Sequence, residues 1–237
     1  GAKLKIANGI DIGSLVGGGQ VSGVDETVSS WYTLTLYPTN DCVFAGTIKT
    51  FLTVAKDSPS CGRFIVGASR TLAESVTVTG SRWLSFAPSP DMYYVGDTYG
   101  SYVPDSGYPL NLAAPDGSPV TVCAFLATDT STLTTTGPGS LYSRYNNRTL
   151  KGDRIGHTGI LGNNGSGSTL TLGDGTAAND FVFTGLSGLD ARTGDIKIDN
   201  ANPVVFNGRV TGECIVYTVP DTTFGCLEMS GEGGIRP

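Results

Sequence analysis

Apolar and polar residues alternate one for one in short runs along most of the chain, the period that sends successive side chains to opposite faces of a pleated strand. The clearest run is Trp31-Tyr32-Thr33-Leu34-Thr35-Leu36-Tyr37, closed by the turn residues Pro38-Thr39-Asn40-Asp41. The same pattern predicts short strands over 43–54, 75–79, 120–127, 168–172, 181–184, 195–198 and 214–219. Between them stand Asp57-Ser58-Pro59-Ser60, Pro115-Asp116-Gly117-Ser118, Gly162-Asn163-Asn164-Gly165 and Gly173-Asp174-Gly175, built of the residues that reverse a chain tightly. Few windows of a dozen residues escape Gly and Pro, and none repeats apolar positions near every 3.6 residues, so no helix is predicted. No repeat of fixed length, as in a solenoid or propeller, is visible. Many short strands at uneven spacing therefore predict an all-β, single-domain barrel or sandwich of short antiparallel strands with long decorated loops. That domain spans 1–229; the tail 230–237 loses the alternation and reads as a flexible exit segment.

Composition narrows the function classes. The 237 residues are enough for one sizeable core. Charged residues make up 15%, against about 25% in an average domain, and hydrophobic residues 39%, which excludes a highly charged disordered tail. Fifteen Lys and Arg against 21 Asp and Glu give a net charge of −6, which opposes attraction to phosphate backbones and anionic lipid surfaces. Neither nucleic-acid binding nor membrane insertion is expected, and no run approaches the ~20 apolar residues that span a bilayer. The start, Gly1-Ala2-Lys3-Leu4-Lys5, lacks the apolar stretch of a signal peptide and an initiator Met, as expected of a piece of something longer. The cysteines, Cys42, Cys61, Cys123, Cys214 and Cys226, are odd in number and widely spaced. They read as buried free thiols, with Cys42–Cys61 or Cys214–Cys226 bridges as the alternative.

Catalytic chemistry finds little to work with. A nucleophile–histidine site would have to use His157, the only histidine, which lies in Gly156-His157-Thr158-Gly159 and reads as a surface-loop residue. One histidine and dispersed cysteines do not supply three or four zinc ligands, so no metal and no cofactor are expected. Glu26, Glu74, Glu213 and Glu228 could in principle provide the paired carboxylates of a glycosidase but form no motif. Gly17-Gly18-Gly19 and Gly162 to Gly167 lack the Gly-Lys-Ser/Thr and the helix of a phosphate-binding loop. Asn147-Arg148-Thr149 and Asn164-Gly165-Ser166 are glycosylation tripeptides of the kind that arise by chance in Ser/Thr-rich loops. The chain is expected not to be an enzyme.

Recognition is better represented. Half of the ten tyrosines, Tyr93, Tyr94, Tyr99, Tyr102 and Tyr108, fall among Gly, Ser, Asp and Pro, the mixture of broad aromatic contact and adaptable hydrogen bonding that binding loops use. The alternative is that several of these rings turn inward as a small core. A second cluster, Tyr142-Ser143-Arg144-Tyr145-Asn146-Asn147-Arg148 with Lys151 and Arg154, concentrates basic side chains on an acidic chain. Arg144, Tyr145 and Arg148 could meet an acidic partner patch or a charged sugar.

The two ends of the chain resemble the protruding spike domain of an astrovirus capsid protein. Leu4-Lys5-Ile6-Ala7 with Asp11, then Ser30-Trp31-Tyr32-Thr33, Pro38 and the strand Lys49 to Val54 carry the resemblance at the start. Tyr217-Thr218-Val219-Pro220-Asp221-Thr222-Thr223, Cys226-Leu227-Glu228-Met229 and Ile235-Arg236-Pro237 carry it at the end. The resemblance implies a six-stranded barrel-like core, a two-fold homodimer projecting from the rest of the capsid shell, attachment to a host-cell receptor of protein or glycan nature, and exposure to neutralising antibodies. It also implies a virion-surface location after assembly in the host cytoplasm, and it adds Trp31 and Asp195 to the receptor-contact candidates. Two alternatives stand beside it: a bacterial or phage carbohydrate-binding adhesin with sugars stacked on Tyr93 to Tyr108, and a glycoside hydrolase with facing carboxylates.

Overall fold

The computed structural model describes residues 2–25, 30–54, 62–67, 78–79, 84–88, 92–95, 102–103, 110–124, 135–144, 148–150 and 157–237. Among these the chain is all-β apart from a single 3-10 turn at Ala177–Asn179. The strands run parallel, not antiparallel: Leu170 pairs with Ile196, Ile196 with Val216 and Val216 with Ile235, all in the same direction. Each passage around the molecule returns the chain to lie beside its previous passage, so the architecture is a parallel β-solenoid and not a barrel or sandwich. Antiparallel pairing among the described residues is confined to Val24–Asp25 with Ser30–Trp31 and an isolated bridge between Ala113 and Pro119.

Three faces recur in a fixed cyclic order. The coil containing Thr47–Lys49, Phe51–Val54 and Phe64–Val66 places one strand on each face, and so does that of Tyr93–Val95, Tyr102–Val103 and Leu110–Asn111. The first face runs from Lys3–Lys5 through Gln20–Ser22 at one end to Val205–Gly212 and Thr223–Met229 at the other. The second begins at Ile10–Ile12 and closes with Ile215–Tyr217 and Gly234–Arg236. The third holds Cys42–Phe44, Phe64–Val66 and Leu84–Phe86, then Thr135–Thr136, whose neighbour Gly137 bridges to His157. Gly234–Arg236, inside the segment expected to leave the domain, is thus the outermost strand of the second face.

Period-two alternation explains this arrangement as readily as it suggested a barrel. In-register stacking places every inward residue on an inward residue of the next coil, giving continuous aliphatic ladders. Leu141, Leu161, Leu189 and Val210 form one, and Leu170, Ile196 and Val216 another; all are almost completely buried. Burial of each such side chain is worth roughly 1.5–3 kcal/mol. Aromatic rings pack against one another beside these ladders: Phe86 tilts against Tyr93, and Phe183 lies between Phe181 and Phe206.

Corners are closed by polar side chains standing in for strand partners. Asn163 Oδ1 accepts from Ser143 Oγ at 2.9 Å and Gly165 N at 3.0 Å, while its Nδ2 donates to the carbonyls of Ser168 at 3.1 Å and Asp195 at 2.8 Å. One buried amide therefore ties together three successive coils. Asn200 pairs with both backbone groups of Phe181, accepting from its N at 2.8 Å and donating to its carbonyl at 3.1 Å. Residues 181–184, predicted as a strand, are irregular because that side chain takes the place of a ladder. The turns at Pro115–Ser118 and Gly173–Gly175 form as predicted, with Gly117, Gly173 and Gly175 at positive φ.

Candidate functional site

The sequence candidates do not converge on one surface. Tyr93 is a core residue whose hydroxyl donates to the carbonyl of Ala87 at 2.7 Å, which settles this ring in favour of the inward alternative. Its neighbour Tyr94 points outward on the first face, where the guanidinium of Arg144 lies 4.8 Å from the ring centroid, a cation–π contact. Trp31 stands in strand Ser30–Trp31, Tyr102 pairs in register with Val78, and Arg148 pairs with Leu170. Tyr99, Tyr108, Tyr145, Lys151 and Arg154 lie outside the described residues, as do Cys61, Glu26 and Glu74.

His157 is buried rather than on a surface loop, and its Nδ1 lies 2.7 Å from Thr135 Oγ1, a link between adjacent coils. Cys42 and Cys123 are buried and form no disulfide, Cys123 Sγ lying 3.9 Å from the carbonyl oxygen of Ser143; Cys214 and Cys226 form none either, so that bridge is absent. Glu228 makes an ion pair with Arg209 on the exposed first face instead of opposing a second glutamate. Among the described residues no group of three His, Cys, Asp or Glu side chains gathers to hold a metal ion, and no helix is long and apolar enough to cross a membrane.

What the solenoid does bring together is a trough on the outer wall of the second face. Because Ile196, Ile198 and Val216 point inward, the intervening Asp195, Lys197 and Tyr217 point outward. Register then sets Thr169 beside Asp195 and Lys197 beside Tyr217, on adjacent strands ~4.8 Å apart. These four residues, walled by Pro220 and Pro237, line a cavity of about 500 Å³, within the range of small-ligand sites. Lys197 Nζ is held by Asp199 Oδ2 at 2.9 Å, and Asp195 Oδ1 accepts from the backbone N of Ile215 at 2.9 Å. Asp195, an expected contact residue, is thus a strut for the next coil that also borders the trough.

A second, smaller cleft of about 360 Å³ lies where the first face turns toward the second, lined by Tyr142, Asp190, Arg192, Thr193, Glu213 and Ser230. Tyr142 OH donates to Asp190 Oδ2 at 2.9 Å, and Arg192 lies 5.8 Å from the Tyr142 ring centroid. Burial first, then the charge of Asp190 and the hydrogen bond to it, hold the Tyr142 phenol well above its ordinary range. Two carboxylates share this cleft, yet the one on Asp190 is occupied as an acceptor by Tyr142, and Glu213 is exposed. The cleft is built for hydrogen bonding.

Tyr217, Lys197, Asp190 and Arg192 were not singled out from sequence as contacts. For Lys197 and Tyr217 the signal was present as the outward half of the alternation in Asp195–Ile198 and Ile215–Tyr217, but only the stacking of coils makes neighbours of residues twenty apart. Comparison of the chain with family models, curated proteins and solved structures finds no match to any of them.

Proposed function

We propose that this chain is a non-catalytic, carbohydrate-binding adhesin module that holds a sugar in the trough of its second face. The observation that carries this reading is the outward Tyr217 set beside Lys197 and near Asp195 on a wall of backbone-paired strands. An aromatic ring offers an apolar face to the C–H face of a pyranose, and flanking charged groups bond its hydroxyls. The strands fix these side chains before the ligand arrives, so little ordering accompanies binding. The working contact of the adhesin reading thereby moves from the Tyr93–Tyr108 segment, whose first ring is core, to Tyr217. A glycan array probed with the 237-residue chain tests this. Binding is expected, with an affinity about tenfold weaker in Tyr217→Ala, equivalent to ~1.4 kcal/mol. An array without a bound glycan, or a Tyr217→Ala chain that binds like the wild type, contradicts it.

A second reading, host-cell attachment from a virion surface, is favoured by the terminal segments around Ser30–Trp31 and Tyr217 to Met229 that resemble the astrovirus spike. The barrel that this resemblance implied is replaced by the parallel coil. Competition by the isolated chain against attachment of such a virus separates this reading from the first.

A further inference from the structure

The trough of the second face crosses strands rather than following one. Thr169 enters it from one coil, Asp195 and Lys197 from the next, and Tyr217 with Thr218 from the one after. Along the strand direction it is closed. Beyond Tyr217 the chain turns through Thr218, Val219 and Pro220, which all line the trough on that side. This corner is pinned: Thr218 N donates to the carbonyl of Arg236 at 2.8 Å, and Thr222 Oγ1 donates to that of Val219 at 2.9 Å. Asp221 completes the reversal at φ 62°, in the left-handed region that aspartate tolerates.

Across the strands, toward lower-numbered coils, the wall is low. Register sets Lys197 beside Tyr217 and Thr171 beside Lys197, so the outward row continues onto a small, half-buried side chain. The corner after Thr171 turns on Gly173 and Gly175, both at positive φ and without side chains to raise a barrier. Each rung advances ~4.8 Å, about what one equatorially linked pyranose adds to an extended chain.

We propose that the ligand of the trough is an extended, equatorially linked oligosaccharide lying across the strands, parallel to the solenoid axis, with successive sugars on the rungs of Tyr217, Lys197 and Thr171. This inference rests on the sugar-binding reading above and adds to it the class and the direction of the ligand. Polar capacity is present along the row. Lys197 Nζ gives one of its donors to Asp199, leaving two for hydroxyls; Asp195 Oδ1 accepts from Ile215 N, leaving Oδ2; and the Thr171 hydroxyl both donates and accepts. A coiled chain, such as an α-1,4-glucan, curves away from a straight row.

Nuclear magnetic resonance titration of the 237-residue chain tests this, with circular dichroism to confirm that each variant keeps its strands. The probes are β-1,4-linked oligomers of glucose, of N-acetylglucosamine and of mannuronate, from monomer to hexamer, with α-1,4-linked glucose oligomers as the curved series. In at least one β-1,4 series affinity is expected to rise about tenfold or more from monomer to trimer and then level off as the three rungs fill, with a smaller rise in the curved series. Thr171→Ala is expected to reduce that rise about two- to tenfold, the worth of one hydrogen bond. Glu213→Ala, at the opposite end of strand Ile215–Tyr217, is expected to leave the rise intact. Affinity independent of length, or a rise that survives Thr171→Ala, overturns the proposal while the sugar-binding reading stands. The same holds for a chain that binds only compact or branched glycans. A chain that binds no glycan at all overturns both.

Discussion

Gly162 carries no side chain because the ring of Tyr142 occupies the place where one would stand. A Cβ there would lie 2.5 Å from both Cδ1 and Cε1 of Tyr142 and 2.7 Å from the carbonyl oxygen of Asp190. With glycine at this rung the phenol reaches across a whole strand, from its own coil to Asp190 two coils on, and makes a partly buried hydrogen bond to a carboxylate worth ~1.5–3 kcal/mol. Its proton is consequently held: the contribution is fully present below the ordinary tyrosine value near 10 and is lost only as pH rises through the higher folded-state value. Ultraviolet titration should show the Tyr142 phenol ionising after the exposed tyrosines. Tyr142→Phe should lower the late transition by one phenol, and Gly162→Ala should bring that phenol back toward the ordinary range by displacing the ring. A late transition whose amplitude is unchanged by Tyr142→Phe would contradict this assignment. Nothing local in the sequence marked the pair. Gly162 read as part of a flexible glycine-rich loop and Tyr142 as part of a basic cluster, because the contact spans residues 48 apart. His157 was misjudged for the same reason: its glycine neighbours suggest a surface turn, while its burial is decided by Thr135 on the preceding coil.

At the scale of strands and corners, the sequence pattern was informative about which residues face inward and silent about direction. Leu34, Leu36, Leu170, Leu172, Ile196 and Ile198 all occupy the buried half of their alternations, as their spacing implied. Parallel and antiparallel sheets share that period of two, so alternation alone does not distinguish a hairpin from a coil. The coil repeat itself was hidden by uneven length: Arg209 pairs with Cys226 but Tyr93 with Val122, so the advance per turn varies from 17 to 29 residues. Insertions are accommodated at the corners, where an Asn supplies the hydrogen bonds that a strand would otherwise make. Asn163 is the strongest case. Asn163→Ala leaves Gly165 N, the buried carbonyl of Ser168 and the partly buried carbonyl of Asp195 without this partner, the buried groups at a cost of ~1–3 kcal/mol each before relaxation. A urea denaturation series should show a loss of about 2–4 kcal/mol for this variant with little change in the denaturant slope. A loss below ~0.5 kcal/mol would mean that the corner is not held by this amide.

For the whole molecule, a stack of flat walls changes what the chemistry on it can do. A barrel with long loops would gather Tyr93, Arg144 and Asp195 by loop packing, whereas the solenoid distributes them over different positions and gathers Asp195, Lys197 and Tyr217 by register instead. A wall built this way is open and shallow, which, on the proposed carbohydrate-binding reading, suits an extended ligand. All of this depends on successive coils lying parallel and in register. Methyl-labelled nuclear Overhauser spectroscopy tests it most directly, by asking which side chains are neighbours. The account predicts a linear chain of contacts, Leu170 to Ile196 to Val216 to Ile235 on one face and Leu141 to Leu161 to Leu189 to Val210 on another. Contacts of Ile196 or Leu189 dominated instead by antiparallel partners in adjacent sequence segments, with no Ile196–Val216 contact, would contradict it.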